Sequence, residues 1–189
     1  MRLFFGVPLS IEATAALAAV CSTVPEQRGW HWVDDRNWHI TLSFLGETEG
    51  KWVNALADLG ERVAAQHESG SLALDSLQWW PSESRPRLLA AVAGQAGPLK
   101  ALRNSLNAGL REMGLPFEGR PLRPHVTLMR LERGATVVEL GLPPCDVEVG
   151  FDSIALFVSE RGVSEKVAGE KRYRPIWEQG LVPAPPFRR

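Results

Sequence analysis

Two nearly identical tetrapeptides, His39-Ile40-Thr41-Leu42 and His125-Val126-Thr127-Leu128, restrict the fold of this chain more than any other feature. In each copy polar and apolar residues alternate, and this period of two is typical of a β-strand with one buried face. Residues two apart share a strand face, so each His projects with its Thr while the apolar residues point into a core. If the two strands lie side by side, two imidazoles and two hydroxyls converge on one place.

The order of predicted elements favours an α+β fold. Helical periodicity occurs in three segments, 11–24, 49–66 and 98–113, and extended patterns occur at 3–7, 30–33, 38–45, 72–80, 88–92, 125–131, 147–158 and 173–177. Strands outnumber helices and come in adjacent pairs, which argues against a doubly wound parallel sheet. We therefore expect two similar lobes of mainly antiparallel sheet with helices outside and a groove between them. They form one domain, 1–182, followed by a solvated Pro-rich tail, 183–189.

Charge and cysteine content narrow the functional classes. The formal net charge is −1, so no chain-wide basic field favours nonspecific binding to nucleic acid. A nucleic-acid partner would be engaged locally, at one end or one phosphate. Cys21 and Cys145 form neither a disulfide framework nor a CxxC metal motif, and no apolar run approaches the ~20 residues of a membrane span. We expect a cytoplasmic protein without membrane contact.

The repeated motif suits acid–base chemistry at a phosphate. Opening a phosphodiester requires one proton to be removed from the nucleophile and one to be given to the leaving oxygen. Imidazole, with an ordinary pKa of about 6.5, can supply both a neutral and a protonated copy at one pH. Each Thr hydroxyl can donate a hydrogen bond to a non-bridging oxygen. A single His-x-Thr is usually structural, so the repetition carries this interpretation.

A metal site is the alternative use of two histidines. A zinc site would need a third protein ligand. Four further side chains are available, but they show no ligand spacing such as HxxxH: His31, His67, Asp34 and Asp35. We expect no metal and no cofactor.

At these residues the chain resembles the two-histidine (2H) phosphoesterase superfamily, which is defined by a pair of His-x-Thr/Ser-x motifs. Within it, the chain is similar to the RNA 2′,3′-cyclic phosphodiesterase family, also named 2′-5′ RNA ligase. The similarity covers nearly the whole chain. It is carried by five segments, 2–8 (RLFFGVP), 32–33 (WV), 39–47 (HITLSFLGE), 123–130 (RPHVTLMR) and 156–160 (LFVSE).

The resemblance implies two pseudo-symmetric α+β lobes whose motif strands line a central groove. It also implies metal-independent hydrolysis of an RNA-terminal 2′,3′-cyclic phosphate to a 2′-phosphomonoester, with possible reversible 2′-5′ ligation. The implied partners are RNA ends, either tRNA halves or other RNAs ending in a cyclic phosphate, and we expect a monomer.

Roles follow as hypotheses. Neutral His125 would accept the proton of the attacking water, protonated His39 would donate a proton to the departing O3′, and Thr41 and Thr127 would hold the non-bridging oxygens. Because the two motifs are nearly symmetric, the reverse assignment of acid and base remains open. The resemblance adds Arg130 as a phosphate ligand. Five residues separate Arg130 from His125, so a regular strand would turn it away, and a bulge or strand end is predicted.

Aromatic residues are candidates for stacking with the base or ribose. Six of them lie in or beside predicted strands, and Phe5 ranks first because it lies on the opening strand: Phe5, Trp32, Trp38, Phe44, Trp79 and Trp80. Two other functions remain open. One is a 2H hydrolase for 2′-5′ oligonucleotides or nucleotide cyclic phosphates, and the other is a noncatalytic module that binds RNA ends.

Overall fold

The computed structural model describes residues 1–135, 141–160 and 172–185. The described part contains three α-helices and ten β-strands. In chain order they are β1 (Arg2–Pro8), α1 (Ile11–Cys21), β2 (Trp30–Trp32), β3 (His39–Glu47), α2 (Val53–Ala64), β4 (Gly70–Leu74), β5 (Ser76–Trp80), β6 (Leu88–Val92), α3 (Gly97–Glu112), β7 (His125–Leu131), β8 (Val147–Phe151), β9 (Ser153–Ser159) and β10 (Tyr173–Gly180).

The strands form two four-stranded sheets and one two-stranded sheet. The first sheet has the order β10-β9-β1-β3, the second β2-β7-β6-β5, and the third pairs β4 with β8. Neighbouring strands are antiparallel throughout these sheets. The predicted α+β fold is confirmed. The two motif strands, β3 and β7, belong to different sheets, so they meet across the groove and not in one ladder.

The helices pack their apolar faces against the sheets. The buried stripes consist of Leu56, Leu59 and Val63 on α2, and of Leu99, Leu102, Leu106 and Leu110 on α3. These stripes follow the 3-4 spacing of an amphipathic helix. On α2, a Cβ at Gly60 would collide with the Trp177 indole, so the glycine permits β10 to lie close to the helix. Helix α3 also contacts β3, which carries the first motif.

Two predicted strands are each two strands in the structure. Segment 72–80 divides at Asp75 into β4 and β5, and segment 147–158 divides at Asp152 into β8 and β9. In both cases one residue carries the chain from one sheet to another. The Asp75 amide donates to the Val92 carbonyl, and the Asp75 side chain accepts from the Gly94 amide. At each corner the apolar alternation shifts by one residue across an Asp-Ser pair, Asp75-Ser76 and Asp152-Ser153, and this shift was the available signal for the division.

Other boundaries shift by a few residues. Helix α1 ends at Cys21 and α2 spans Val53–Ala64, so both are shorter than predicted. Strand β10 extends to Gly180, beyond the predicted end at Trp177. Its Pro175 is tolerated because β10 is an edge strand and the register shifts between Pro175 and Trp177, the two places where a sheet accepts proline.

The residues directly after β10 still contact the rest of the fold. Leu181 is buried, Val182 bridges Glu68, and the Ala184 amide donates to the Ser69 hydroxyl. Residues 186–189 of the predicted tail lie outside the described residues. In the described part of the chain, no helix has the length and apolar character needed to cross a membrane.

Candidate active site

The two motifs open into one cavity of about 510 Å³ between the two four-stranded sheets. The residues that the sequence predicts for proton transfer and phosphate binding all line it: His39, Thr41, His125, Thr127 and Arg130. Ile40, Leu42, Val126 and Leu128 are buried in the core on the opposite strand faces. The predicted division of each motif into a polar and a core face is therefore what the structure has.

A bulge in each motif strand brings a third residue into the cavity. In β7 the pairing with β6 jumps from Met129↔Leu89 to Thr127↔Ala90, which leaves Leu128 as the extra residue. In β3 the pairing with β1 likewise skips Leu42. Because each bulge reverses the phase of alternation, the fifth residue after each histidine faces the cavity. The bulge predicted for Arg130 is confirmed, and Phe44 is its counterpart on β3.

Both imidazoles are oriented by a backbone carbonyl two residues earlier. His39 Nδ1 lies 2.8 Å from the Asn37 carbonyl, and His125 Nδ1 lies 2.8 Å from the Arg123 carbonyl. A carbonyl oxygen can only accept, so each Nδ1 carries a proton and donates. Nε2 is therefore the ring nitrogen of each histidine that is available to accept or to donate the transferred proton.

Aromatic rings surround His39. The Phe4 ring lies 4.8 Å from it, the Phe157 ring 5.5 Å and the Tyr173 ring 4.8 Å, as centroid distances. Phe4 and Phe157 are buried and stacked on each other at 5.0 Å. These two rings pack against the imidazole and restrict its orientation, while Tyr173 lines the cavity beside His39.

His125 has a different environment. The Trp80 ring lies 4.4 Å from the imidazole, and the Arg123 guanidinium lies 4.6 Å over the Trp80 ring. Burial of the ring lowers the pKa of His125, and the positive charges of Arg123 and Arg130 lower that pKa further. The Arg123 carbonyl and Glu118 act in the opposite direction but do not reverse the shift. Neutral imidazole is therefore the form that the structure favours at position 125.

A buried arginine on α3 connects the two motifs. Arg103, 8% exposed, donates to the Leu42 carbonyl at 2.9 Å. It also donates to the carbonyls of Glu118 and Arg120, at 2.7 and 2.6 Å, in the segment that leads into β7. One turn along α3, the Asn107 side chain accepts from the Ser43 hydroxyl at 2.6 Å. Helix α3 thus holds the bulge of β3 and the approach to β7 together.

The cavity is positively charged although the chain is not. Arg2, Arg130 and Arg172 line it, and no Asp or Glu occurs among its lining residues in the described part of the chain. Arg172 Nε is buried without a hydrogen-bond partner among the described residues, which leaves a donor for an anion. A cavity lined by one sign of charge attracts ligands of the opposite sign, so this distribution favours an anion.

The aromatic candidates separate into core and surface residues. Phe5 has no exposed surface and packs against Trp177, so a stacking role for Phe5 is not supported. Residues alternate along a strand, and the face of β1 towards the site carries Phe4 instead. Trp38 and Trp79 are buried, and Trp32 lines a different depression. Phe44 lines the cavity, and Trp80 contacts His125.

Several cavity residues were not predicted from the sequence. Arg2 and Ser159 come from the ends of strands, and Asn37, Arg172 and Tyr173 come together through backbone contacts. The Asn37 side chain accepts from the amides of Arg172 and Tyr173, at 2.7 and 3.2 Å. Position 37 lies two residues before His39, as position 123 does before His125, and that correspondence was the available signal.

The predicted alternative ligands do not form a metal cluster. His31 contacts Glu132 at 2.7 Å, His67 contacts the Ser105 hydroxyl at 2.9 Å, and Asp34 pairs with Arg36. Within residues 1–135, 141–160 and 172–185, no group of three or more His, Cys, Asp or Glu side chains is arranged to hold a metal ion.

Comparison with known proteins places this geometry in a family. Residues 7–90 match the model of the LigT-like phosphoesterase family, and this region includes the first motif. The RNA 2′,3′-cyclic phosphodiesterase of Escherichia coli is 30% identical over 96% of this chain and 97% of its own, a span that includes both motifs. The enzyme of the same name from Thermus thermophilus is 35% identical, over 69% of this chain and 68% of its own.

Comparison with solved structures leads to the same family. TT0787 of Thermus thermophilus superposes with a TM-score of 0.81 at 30% identity, and the match covers 96% of this chain and 98% of that one. E. coli LigT complexed with 3′-AMP gives a TM-score of 0.73 at 25% identity, over 95% of this chain and 97% of that one. The similarity thus extends through fold and sequence over both halves of the cavity. This chain therefore belongs to the LigT-like phosphoesterase family, the enzyme family of the RNA 2′,3′-cyclic phosphodiesterases.

Proposed function

We propose that this enzyme hydrolyses the 2′,3′-cyclic phosphate at an RNA end to a 2′-phosphomonoester, with two histidines and no metal ion. The observation that carries the proposal is the pair of imidazoles, each fixed through Nδ1 to a carbonyl at 2.8 Å, in a cavity lined by arginines. Two such groups supply both proton transfers that the reaction needs. A strained five-membered cyclic phosphate requires little further activation.

His125 is the general base and His39 the general acid. Burial and two nearby arginines hold the pKa of His125 below its ordinary value of 6.5, which favours the neutral imidazole that can accept a proton from water. His39 donates to O3′ as the P–O3′ bond breaks, and the two histidines then exchange their protons with solvent.

Thr41, Thr127 and Arg130 bind the phosphate. Each Thr shares the strand face of its histidine, and the bulge brings Arg130 to that face. Hydroxyl and guanidinium donors directed at the non-bridging oxygens stabilise charge that develops in the transition state. A guanidinium also neutralises charge without entering the proton transfers.

The substrate class rests on the relatives. The matching proteins of E. coli and Thermus thermophilus are named RNA 2′,3′-cyclic phosphodiesterases, and a nucleotide with a terminal phosphate fits the charge of this cavity. The local distribution of that charge supports recognition of an RNA end and not of a long duplex. Reversible 2′-5′ ligation, a monomeric state, a cytoplasmic location and a single domain ending near residue 182 are further parts of the proposal.

One assay tests this function. A short RNA ending in a 2′,3′-cyclic phosphate is incubated with the enzyme in EDTA, and the products are separated. We expect a 2′-phosphate as the only new terminus. A 3′-phosphate would contradict the assignment of the leaving oxygen, activity that EDTA abolishes would contradict metal independence, and an unchanged RNA end would contradict the proposed substrate.

A further inference from the structure

The cavity-facing surface of the second sheet continues beyond the cavity wall at His125. Residues paired across antiparallel strands share a face, and the register places three rows on it: Ser76, Val92 and His125, then Gln78, Ala90 and Thr127, then Trp80, Leu88 and Arg130. Strand β5 supplies the outer member of each row. Its residues do not line the cavity, so this face offers a second surface beside the site.

A hydrogen-bonded layer occupies that surface. The Gln78 carbonyl oxygen accepts from the Trp80 indole at 3.2 Å and from the Arg123 guanidinium at 3.2 Å, while its amide donates to Ser76 at 3.0 Å. Arg123 covers the Trp80 ring at 4.6 Å. We name the group of Trp80, Arg123 and Gln78 the Trp80 platform.

The Trp80 platform is in direct contact with the reacting side of the site. Strands β5 and β7 are separated by β6, yet the Trp80 ring reaches His125 at 4.4 Å. The small Ala90 is the residue of β6 in the row between them, which leaves room for the indole. Arg123 also supplies the carbonyl that orients His125. The Trp80 platform is therefore adjacent to His125, the proposed general base.

In-line displacement separates the two sides of the phosphorus atom. The entering and leaving oxygens lie on opposite sides, so the ribose that carries O3′ is on the His39 side and the nucleophile is on the His125 side. An attacking water molecule would fill only a small part of the space on the His125 side of the phosphorus atom. A nucleophile larger than water, such as the 5′-hydroxyl of a nucleoside, would extend outward from His125 along this surface.

The chemistry of the Trp80 platform fits such a nucleoside. Bases stack on guanidinium planes, and the exposed Arg123 guanidinium that covers the Trp80 ring offers such a plane together with a positive charge for the next phosphate. On the opposite side, the Tyr173 ring lies 4.8 Å from His39 and the Arg172 guanidinium lies 5.7 Å over that ring, and both residues line the cavity, where the terminal nucleoside binds. The Trp80 platform lies outside the cavity lining, so it is the surface left beside His125 for a second nucleoside.

We propose that the Trp80 platform is the subsite for the nucleoside that carries the attacking 5′-hydroxyl, which is the 5′-OH end of a second RNA strand. The inference rests on the proposed function. In this reaction the P–O5′ bond forms and the P–O3′ bond breaks. His125 takes the proton of the 5′-hydroxyl and His39 gives one to O3′, so the product is a 2′,5′-phosphodiester with a free 3′-hydroxyl and no further reactant is needed.

The test is a partition experiment with the full chain. The enzyme receives adenosine 2′,3′-cyclic phosphate together with the dinucleotide UpU, whose 5′-hydroxyl is free. The quantity measured is the ratio of 2′,5′-linked product to 2′-AMP in the same reaction. The dinucleotide pUpU, whose 5′-oxygen is phosphorylated, is the chemical control and should give no linked product. Because both products come from one active site, loss of folded enzyme does not change the ratio.

We expect the wild-type ratio to rise and saturate with UpU. Trp80→Leu and Arg123→Gln should each lower the ratio at least about 10-fold, the typical loss of one stacking contact. Arg111→Gln is the matched control, because Arg111 also lies over an aromatic ring, that of Phe117 at 5.2 Å, but outside the site. Its ratio should equal that of the wild type.

Three results would overturn the inference while leaving hydrolysis intact. They are wild-type enzyme that forms 2′-AMP but no linked product, a ratio unchanged in both platform variants, and variants that raise only the KM for the cyclic nucleotide. The last would place the terminal nucleoside on the Trp80 platform. Absence of 2′-AMP from the wild type would instead contradict the proposed function itself.

Discussion

The two halves of the cavity have the same backbone and different chemistry. Strands β3 and β7 each present His and Thr to the cavity, bulge at the following Leu, and turn a fifth residue inward. That fifth residue is Phe44 on one side and Arg130 on the other. Three aromatic rings, two of them buried, lie around His39, whereas a tryptophan and two arginines are near His125.

This difference supports the proposed division of acid and base roles between two copies of one motif. A symmetric pair of imidazoles would compete for the same role, because neither would be preferred as base or acid. Burial together with nearby positive charge favours the neutral form of His125. In the proposed mechanism, the strands provide the symmetric positions of the two histidines, and the residues around them provide the separation of roles.

Removal of either imidazole should have the largest effect. His39→Ala and His125→Ala should each lower kcat for cyclic phosphate hydrolysis by about 10²- to 10⁴-fold, because each removes one proton transfer. Steady-state kinetics with an RNA ending in a cyclic phosphate measures this. His67→Ala is the matched control, since His67 bonds to Ser105 away from the cavity. Near wild-type activity in His39→Ala or in His125→Ala would contradict the requirement for both histidines.

The divergent fifth residues should respond differently. Arg130→Gln removes the charged donor that we propose for the phosphate and should lower kcat/KM by about 10- to 100-fold. Phe44→Leu removes an aromatic surface that is 38% exposed in the cavity and should raise KM by up to about 10-fold with little change in kcat. Measuring kcat and KM separately distinguishes them. An equal loss of kcat in Arg130→Gln and Phe44→Leu would contradict the expected difference between the two positions.

The connection between the halves should matter for stability. Arg103→Met leaves three backbone carbonyls without this donor and should lower the free energy of unfolding by roughly 3 kcal/mol. Urea denaturation measures the change. Lys100→Met, on the exposed side of the same helix, should stay within about 0.5 kcal/mol of the wild type. A similar result for Arg103→Met would show that α3 does not hold the two motifs together.

The smallest effect concerns pH and stability. The pKa of His125 is lower in the folded chain than its ordinary value of 6.5, so above pH 6.5 the imidazole is mostly neutral in both states. As pH falls below 6.5, the unfolded chain binds the proton first and the fold loses stability. Chemical denaturation at several pH values should show this loss, and His125→Gln should reduce its slope. A steeper slope in that variant would contradict the direction of the shift.

The sequence was sufficient for the parts of the fold and site that repeat. Alternation placed His39, Thr41, His125 and Thr127 on one polar face each, and the odd spacing of Arg130 predicted its bulge. These are local properties of a strand, so they can be derived from the residues of that strand alone.

Other features depend on distant parts of the chain. Phe4 and Phe5 are adjacent and chemically alike, so only the orientation of β1 between β3 and β9 decides which of them approaches His39. The contribution of Tyr173 depends on a hydrogen bond from its amide to Asn37. The corners at Asp75 and Asp152 have a local signal, because the apolar alternation shifts by one residue at each following Ser, but the sheet that each next strand joins depends on distant partner strands.

The separation of roles can be tested most directly with a changed leaving group. A 2′,3′-cyclic phosphate in which sulfur replaces O3′ releases a thiolate, whose ordinary pKa near 8.5 makes protonation unnecessary. The measurement compares the rate loss of His39→Ala and of His125→Ala on the oxygen and sulfur substrates. We expect the loss in His39→Ala to disappear largely with sulfur, while the loss in His125→Ala remains. Equal losses on both substrates, or rescue of His125→Ala instead, would contradict the assignment of His39 as acid and His125 as base.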